Sequence, residues 1–452
     1  MNSIPPKLKV RPVLNFQNKS NTKVVDNLKA MMRQGGTYLD GKLTIELMAS
    51  APYARWYFQR FIPNPLEPDH RPANPDIDFG ACEIEFGRRK FSGQVHSTGS
   101  HCIIGSVLGS VSAGTEHKLT HFTTHFQEFP IFQCCEMGAM LEVANKRLPP
   151  EEIEFKSGDL NVTLCSCRGV EGTNGFNGLM KVTSASEFNQ RLVAPLLEQL
   201  HHFLSFAFGS WVSPAFTKGG NAAFDDFYSH FENYASVKTL DLRGWLACGH
   251  QCCLAEAFPG FVVQFGKADW KEPLTTAIGW LVGALTATRE SKKKKMTYAQ
   301  IPLEMFAWLV FCDLHEVVPE EEFRKLSAAS KISMLLNNAK VPLEVPAKLT
   351  SLLKIQTKNS TLNNGPKLVV KLRNTIIHPS KKNRAFLDAI EADCDVDLED
   401  VYREALELYQ WYTTLIILHL IGYNGVYANR LGTPWNPTVE PVPWANQPGG
   451  AD

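Results

Sequence analysis

The stretch Leu368–Ser380, L-V-V-K-L-R-N-T-I-I-H-P-S, holds the residues best suited to chemistry: Arg373, Asn374 and His378. Leu368, Val369 and Leu372 recur at helical spacing, so the segment predicts an amphipathic helix. Pro379 disfavours a helical conformation in its predecessor, which sets the helix end at His378. An imidazole there meets the negative pole of the helix, which favours its protonated form, while the cations Lys381, Lys382 and Arg384 that follow oppose it. Arginine is a permanent, planar, bidentate donor to phosphate oxygens. Histidine gives and takes a proton near neutral pH. The two suffice to break an RNA phosphodiester without a metal: His378 moves protons, Arg373 holds the charged phosphorane-like state, and Asn374 positions either. Arg373 lies about 140° round an ideal helix from His378. The two therefore meet on one ligand only if the last turn unwinds or a second copy of the chain supplies the partner.

The pattern R-N-x-x-x-H, followed by proline and flanked by long predicted helices, resembles the signature of the HEPN (higher eukaryote and prokaryote nucleotide-binding) ribonucleases. That resemblance implies a homodimer or higher homo-oligomer in which two protomers compose one active site. It also implies RNA as partner, and neither metal nor cofactor. Lys292, Lys293, Lys294 and Lys295 form a run between two predicted bundle helices. They read either as a solvated loop or, under the resemblance, as RNA-binding residues. In the second case they join Lys381, Lys382 and Arg384, which directly follow His378, in a local cationic patch.

A patch is what the composition allows. Lysine plus arginine equals aspartate plus glutamate at 46 each, so no RNA-binding surface covers the whole chain. At 452 residues, length suggests two or three domains. The eleven cysteines are scattered, and residues 1–11 have no apolar secretory core, so the reducing cytoplasm is the expected compartment. The longest apolar run, Leu415–Gly422, is broken by His419 and far short of a membrane span, so no membrane partner is expected.

The fold class expected is α+β: an N-terminal antiparallel β-sandwich-like domain, then a C-terminal all-α, HEPN-like helical bundle. Residues 1–37 read as a flexible entry or a short first helix, and 38–182 as the β-rich sensor or regulatory domain. Residues 183–267 read as a helical connection, 268–430 as the bundle and 431–452 as a proline-rich tail. Asp40-Gly41 is a hairpin-type turn signal. Cys82, Ile84 and Phe86 alternate with glutamates, and Ser157-Gly158-Asp159 separates two alternating runs. Beyond Ser184 strand signals nearly vanish. Helices are expected at 186–208, 241–257, 272–289, 298–315, 321–337, 345–356, 364–378 and 398–429. The last is apolar almost all round between Trp411 and Ile421, which predicts burial on more than one side.

This arrangement resembles ApeA-type bacterial anti-phage proteins, in which a β-rich part senses and a HEPN part cuts RNA. The function so implied is a metal-independent endoribonuclease toxin of an abortive-infection system, answering a phage-derived trigger. The alternative is a non-catalytic HEPN-like module that dimerises or binds nucleotide, its β domain recognising a phage or cellular partner. Other chemistry is thinner. His117, His121 and His125 sit in a strand-forming context, and Cys248, His250, Cys252 and Cys253 lack a second ligand pair at zinc spacing. Cys134-Cys135 and Cys165/Cys167 add no knuckle. No phosphate-cradling glycine loop, nucleophile elbow or H-E-x-x-H is present.

Overall fold

The structure, a computed structural model, describes residues 22–34, 36–47, 54–60, 79–86, 89–98, 102–108, 110–114, 117–127, 129, 152–166, 176–224, 227–232, 243–247, 250, 252–287, 290–314, 316–433 and 437–445. It divides into two compact units, Met1–His201 with Val212–Lys238, and His202–Trp211 with Thr239–Asp452.

In the first unit, six strands close into an antiparallel barrel: β1 (Thr22–Gln34), β2 (Thr37–Leu47), β3 (Ala54–Arg60), β4 (Ala81–Phe86), β5 (Arg89–Thr98) and β6 (Cys102–Leu108). Its order is β1-β2-β3-β6-β5-β4. Alternating apolar residues turn inward, so Trp56, Phe58, Ile84 and Ile103 fill the interior and leave no open sheet edge. The Trp56 indole donates to the Ser106 carbonyl at 2.9 Å. Gly105 makes room for it: a Cβ there would strike the indole ring and the Gln94 carbonyl.

A seven-stranded antiparallel sheet follows. Its strands are β7 (Ser110–Gly114), β8 (Leu119–Gln127), β9 (Glu152–Ser157), β10 (Leu160–Ser166), β11 (Phe176–Phe188), β12 (Ser213–Gly220) and β13 (Tyr228–Glu232), in the order β7-β13-β12-β8-β11-β10-β9. Between β11 and β12 runs α1 (Val193–Phe208). The β9–β10 hairpin turns at Gly158 with φ +58°, as its sequence predicts.

Several expectations are corrected here. The β-rich region is a barrel and a sheet instead of a sandwich-like pair, because period-two alternation reports a buried face and not what covers it. Residues 22–34, expected as part of a polar entry or a first helix, are strand β1, paired with β2 and β4. Asp40 and Gly41 lie inside β2, opposite Met31 and Ala30; the real turn is at Gly36, with φ +90°. Strands β12 and β13 lie beyond Ser184, and β12 is buried almost throughout, so alternation cannot mark it. Ser186 falls within β11, and Asn189 is the cap that leads into α1.

On β8, His121 and His125 share a face with Thr123, and His117 precedes the strand. His125 is buried, and burial pushes its imidazole down to about 3, so it is neutral at pH 7. An unfolded histidine takes up its proton near pH 6.5. Acid therefore favours the unfolded chain from there down to about 3, by up to about 1.4 kcal/mol per pH unit. In urea melts, a His125→Gln chain should lose about 2 kcal/mol less than the parent on going from about pH 7 to about pH 5.

The second unit is helical. It comprises α2 (Cys252–Phe265), α3 (Ala268–Thr286), α4 (Lys292–Ala299), α5 (Ile301–Trp308), α6 (Glu320–Lys325), α7 (Ala328–Asn338), α8 (Thr350–Lys358), α9 (Gly365–Ile377), α10 (Lys381–Cys394) and α11 (Leu398–Leu420). A last hairpin pairs β14 (Val426–Asn429) with β15 (Thr438–Pro441). The lysine run, expected in a loop, is the first turn of α4, capped by the Ser291 hydroxyl. The helix expected over 241–257 begins at Cys252, and that over 398–429 stops at Leu420. In the tail, the Trp444 indole donates to the Tyr423 carbonyl at 2.8 Å, so that tryptophan docks; Trp435 lies outside the described residues.

Helix α11 organises the unit. Asp397 caps it, and Tyr402, Tyr409, Tyr412 and the run Leu415–Leu418 are buried. Its buried Glu404 accepts the Leu352 amide at 3.0 Å, which satisfies one of the orphan donors in the first turn of α8. No helix among the described residues is long and apolar enough to cross a membrane.

Candidate functional site

Helix α9 forms for local reasons. The Asn364 side chain accepts the Lys367 amide at 2.9 Å, Pro366 occupies the first turn, and Leu368, Val369 and Leu372 bury one face. The helix ends where Pro379 predicts, with His378 as C-cap at φ −118° and ψ 78°. The His378 amide donates to the Asn374 carbonyl at 3.0 Å. Ser380 then caps α10 through the Asn383 amide.

The three motif residues take different positions. Arg373 is half-buried, with Nη1 at 3.4 Å from Asn374 Oδ1 and a buried Nε that meets no acceptor among the described residues. Its charge is felt by the Tyr409 phenol, which burial holds well above the usual range and which donates to Gln300 Oε1 at 2.7 Å. His378 is exposed at the helix end. Among the described residues no hydrogen bond joins Arg373 to His378, in keeping with their separation round the helix.

Two neighbours complete this corner, and the motif reading missed both. Asn383 Nδ2 donates to the Asn374 carbonyl at 3.2 Å and the His378 carbonyl at 2.7 Å, so it ties the end of α9 to the start of α10. Lys371 Nζ donates to Asn383 Oδ1 at 2.8 Å and lies 4.7 Å from the centre of the Phe386 ring. Burial, then the Lys382 charge, pushes the Lys371 ammonium down. Spacing alone could have found Lys371. Seven residues are within about 20° of two full turns, so Lys371, Asn374 and His378 share one helix face.

Lys381, Lys382 and Arg384 are exposed in the first turn of α10, and Arg384 Nη1 donates to the Pro379 carbonyl at 2.8 Å. Cations there face the positive pole of the helix, which costs stability. The other lysines disperse. Lys292 Nζ is 3.5 Å from Glu399 Oε2, Lys293 sits over the Tyr402 ring, and Lys294 pairs with Glu290 at 2.5 Å. Lys292 and Lys295 line a cleft that includes none of Arg373, His378, Lys381, Lys382 and Arg384.

Among the described residues no group of three or more histidine, cysteine or acidic side chains could hold a metal. Cys253 is buried and Cys252 exposed; Cys248, Cys134, Cys135 and Cys167 lie outside the described residues.

Comparison with known proteins bears on the same region. The chain is 25% identical over 269 residues to the SPbeta prophage-derived uncharacterized protein YopA of Bacillus subtilis (strain 168), covering 59% of this chain and 57% of that protein. The chain thus spans little more than half the length of the curated relative it matches. No solved structure matches the chain. Residues 126–239 match the model of the YopA central domain, and residues 267–440, which contain α9, α10 and α11, match that of the YopA C-terminal domain.

Proposed function

We propose that the helical unit is a HEPN-like, metal-independent endoribonuclease, and that the whole chain is a toxin of a bacterial anti-phage, abortive-infection system. The observation that carries this reading is Arg373, a half-buried permanent cation with no carboxylate partner among the described residues. A phosphate oxygen is the acceptor such a group suits. The cations at the start of α10 add support, since a bound phosphate would offset their unfavourable placement. The prophage derivation of the Bacillus subtilis relative supports a phage setting.

On this reading, Arg373 of one copy and His378 of a second share one scissile phosphate. The ribose 2′-oxygen bonds to phosphorus while the bond to the 5′-oxygen breaks. The electron pair leaves on the 5′-oxygen, which takes up a proton. His378 serves either as base toward the 2′-OH or as acid toward the leaving oxygen. The products are a 2′,3′-cyclic phosphate and a 5′-OH end. Sequencing RNA ends after induction of the wild type and of His378→Ala, side by side, tests this: cyclic-phosphate ends should accumulate in the first alone.

Asn383 is a positioning residue under this proposal. Its loss frees both carbonyls it holds, so an Asn383→Ala chain should cleave about tenfold more slowly or worse, with its melting temperature lowered by only a few degrees. A rate unchanged by Asn383→Ala would remove it from that role.

A second reading is favoured by His378 itself, whose ring has no orienting hydrogen bond among the described residues. In that reading the bundle pairs or binds nucleotide without cutting. Expression separates the two: growth arrest by the wild type in the presence of its trigger, relieved by His378→Ala, supports cleavage. Tolerance of both supports the binding module.

A further inference from the structure

In the first unit, one corner of the seven-stranded sheet gathers four groups that can do chemistry. Ser112 on β7 and His230 on β13 are cross-strand partners, so their side chains stand on the same face. Strand alternation puts Tyr228 and Glu232 on that face too, one on either side of His230. Val111 and Phe231 turn to the opposite face and join the apolar core that includes Trp56 and Phe58 of the barrel.

The four side chains are linked. Ser112 Oγ lies 2.7 Å from His230 Nδ1, and His230 Nε2 lies 3.3 Å from Glu232 Oε2. An ionised carboxylate only accepts, so Glu232 holds the ring proton on Nε2 and leaves Nδ1 as a base toward the serine. The Tyr228 ring lies parallel to the imidazole, within 4° and with centres 6.5 Å apart, and its hydroxyl hydrogen-bonds with Ser112. Burial, above all, pushes the Tyr228 phenol up to about 12, so it keeps its proton at neutral pH and stays a donor.

The imidazole is 2% exposed, while Ser112 and Glu232 are half-buried. Among the described residues β7 is an edge strand, so Ser112 is reached without parting the ladder. Thr217 faces His230 from β12, but its hydroxyl is engaged with that of Thr124 at 2.8 Å. That threonine pair shows what satisfying a buried hydroxyl takes: one partner. On Ser112 a base, the acid that fixes the base and a neutral donor converge instead, which is the set that nucleophilic acyl transfer uses.

We propose that Ser112, His230, Glu232 and Tyr228 form a catalytic site of their own, which hydrolyses carboxylic esters. Ser112 Oγ bonds to the ester carbon as its proton passes to His230 Nδ1. The carbonyl oxygen takes the negative charge, and the Tyr228 hydroxyl donates to it. The carbonyl then re-forms and expels the alcohol oxygen, which takes the proton from His230. Water repeats both steps on the acyl-serine, releasing the acid and restoring the hydroxyl. One ester and one water thus give one acid and one alcohol. Glu232 touches no reacting atom and is a positioning residue. The site lies in the unit that does not contain α9, and the proposal does not depend on RNA cleavage.

A fluorophosphonate probe on the full chain tests it, with p-nitrophenyl acetate and p-nitrophenyl butyrate as ester substrates. The probe should phosphonylate Ser112, the Oγ–P bond forming as fluoride leaves, and peptide mass mapping should place the adduct there. Ser112→Ala should abolish that adduct and slow hydrolysis of at least one ester by about tenfold or more. Glu232→Gln keeps the size of a half-buried side chain, so it is the variant least prone to unfold. It should slow labelling and hydrolysis by about tenfold or more, through a misoriented ring, with a melting temperature within a few degrees of the parent's. Ser186→Ala, which removes an exposed hydroxyl on β11, should leave both rates unchanged. Three results would each overturn the proposal. They are no adduct on Ser112, hydrolysis of neither ester above the rate of Ser112→Ala, and labelling of Ser112 undiminished in Glu232→Gln.

Discussion

Alanine at His378 should reduce RNA cleavage by about a hundredfold or more while the chain stays folded, because the ring is exposed and packs into no core. Alanine at Arg373 should cost a similar factor, through the lost electrostatic hold on the phosphate. Lysine there should recover little, since a point charge does not reproduce the planar fork. Mixing is the sharper measurement. If each site takes its arginine from one copy and its histidine from the other, an Arg373→Ala/His378→Ala heterodimer keeps one intact pair. Co-refolded mutants should then regain up to about a quarter of wild-type activity, although each is dead alone. A mixture as inactive as its components would rule out that division of labour.

The second large effect concerns stability and reverses an ordinary rule. Glycine inside a helix normally costs about 0.5–1 kcal/mol relative to alanine. Gly283 in α3 obeys that rule, because a Cβ there would meet nothing within 4 Å. Gly283→Ala should therefore raise the melting temperature of the helical unit by a degree or more, roughly. Gly260 in α2 should do the opposite. A Cβ there would run into the Ile421 carbonyl, which is backbone and cannot rotate aside. Gly260→Ala should cost about 2–3 kcal/mol and lower the melt by several degrees, about 4–10 °C. Calorimetry of the two variants side by side reads the sign directly. A stabilised Gly260→Ala would mean that α2 and the end of α11 do not approach so closely.

That glycine also shows where sequence reasoning stops. Pro259-Gly260 reads as helix punctuation, and the helix was expected to end before it, yet α2 continues through both. The reason is a contact with a residue 161 positions away, which no local pattern announces. Helix α9, in contrast, was legible almost to the residue, since its cap, its apolar spacing and its terminating proline are all local. The barrel was not: alternation in Cys82–Phe86 marks a strand, but closure depends on β1 finding β4 across some fifty residues. In the bundle, the predicted apolar character of α11 hid a second pattern. Arg403, Glu407, Gln410, Trp411 and Thr414 fall on one stripe, and all five line the cleft. Its other walls come from separate segments, so only the fold assembles it. The Arg373 motif was visible as a spelling, but its setting was not, because Asn383 and Lys371 acquire their roles only once α10 folds back on α9.

The offset of Arg373 and His378 round α9 has a kinetic meaning. On the proposed reading, a ribonuclease whose arginine and histidine must come from two molecules is harmless in single copies. At low abundance its output grows with the square of the number present, so doubling expression quadruples the damage. Abundance alone then becomes a safety catch, and a modest rise in synthesis or local crowding is enough to release it.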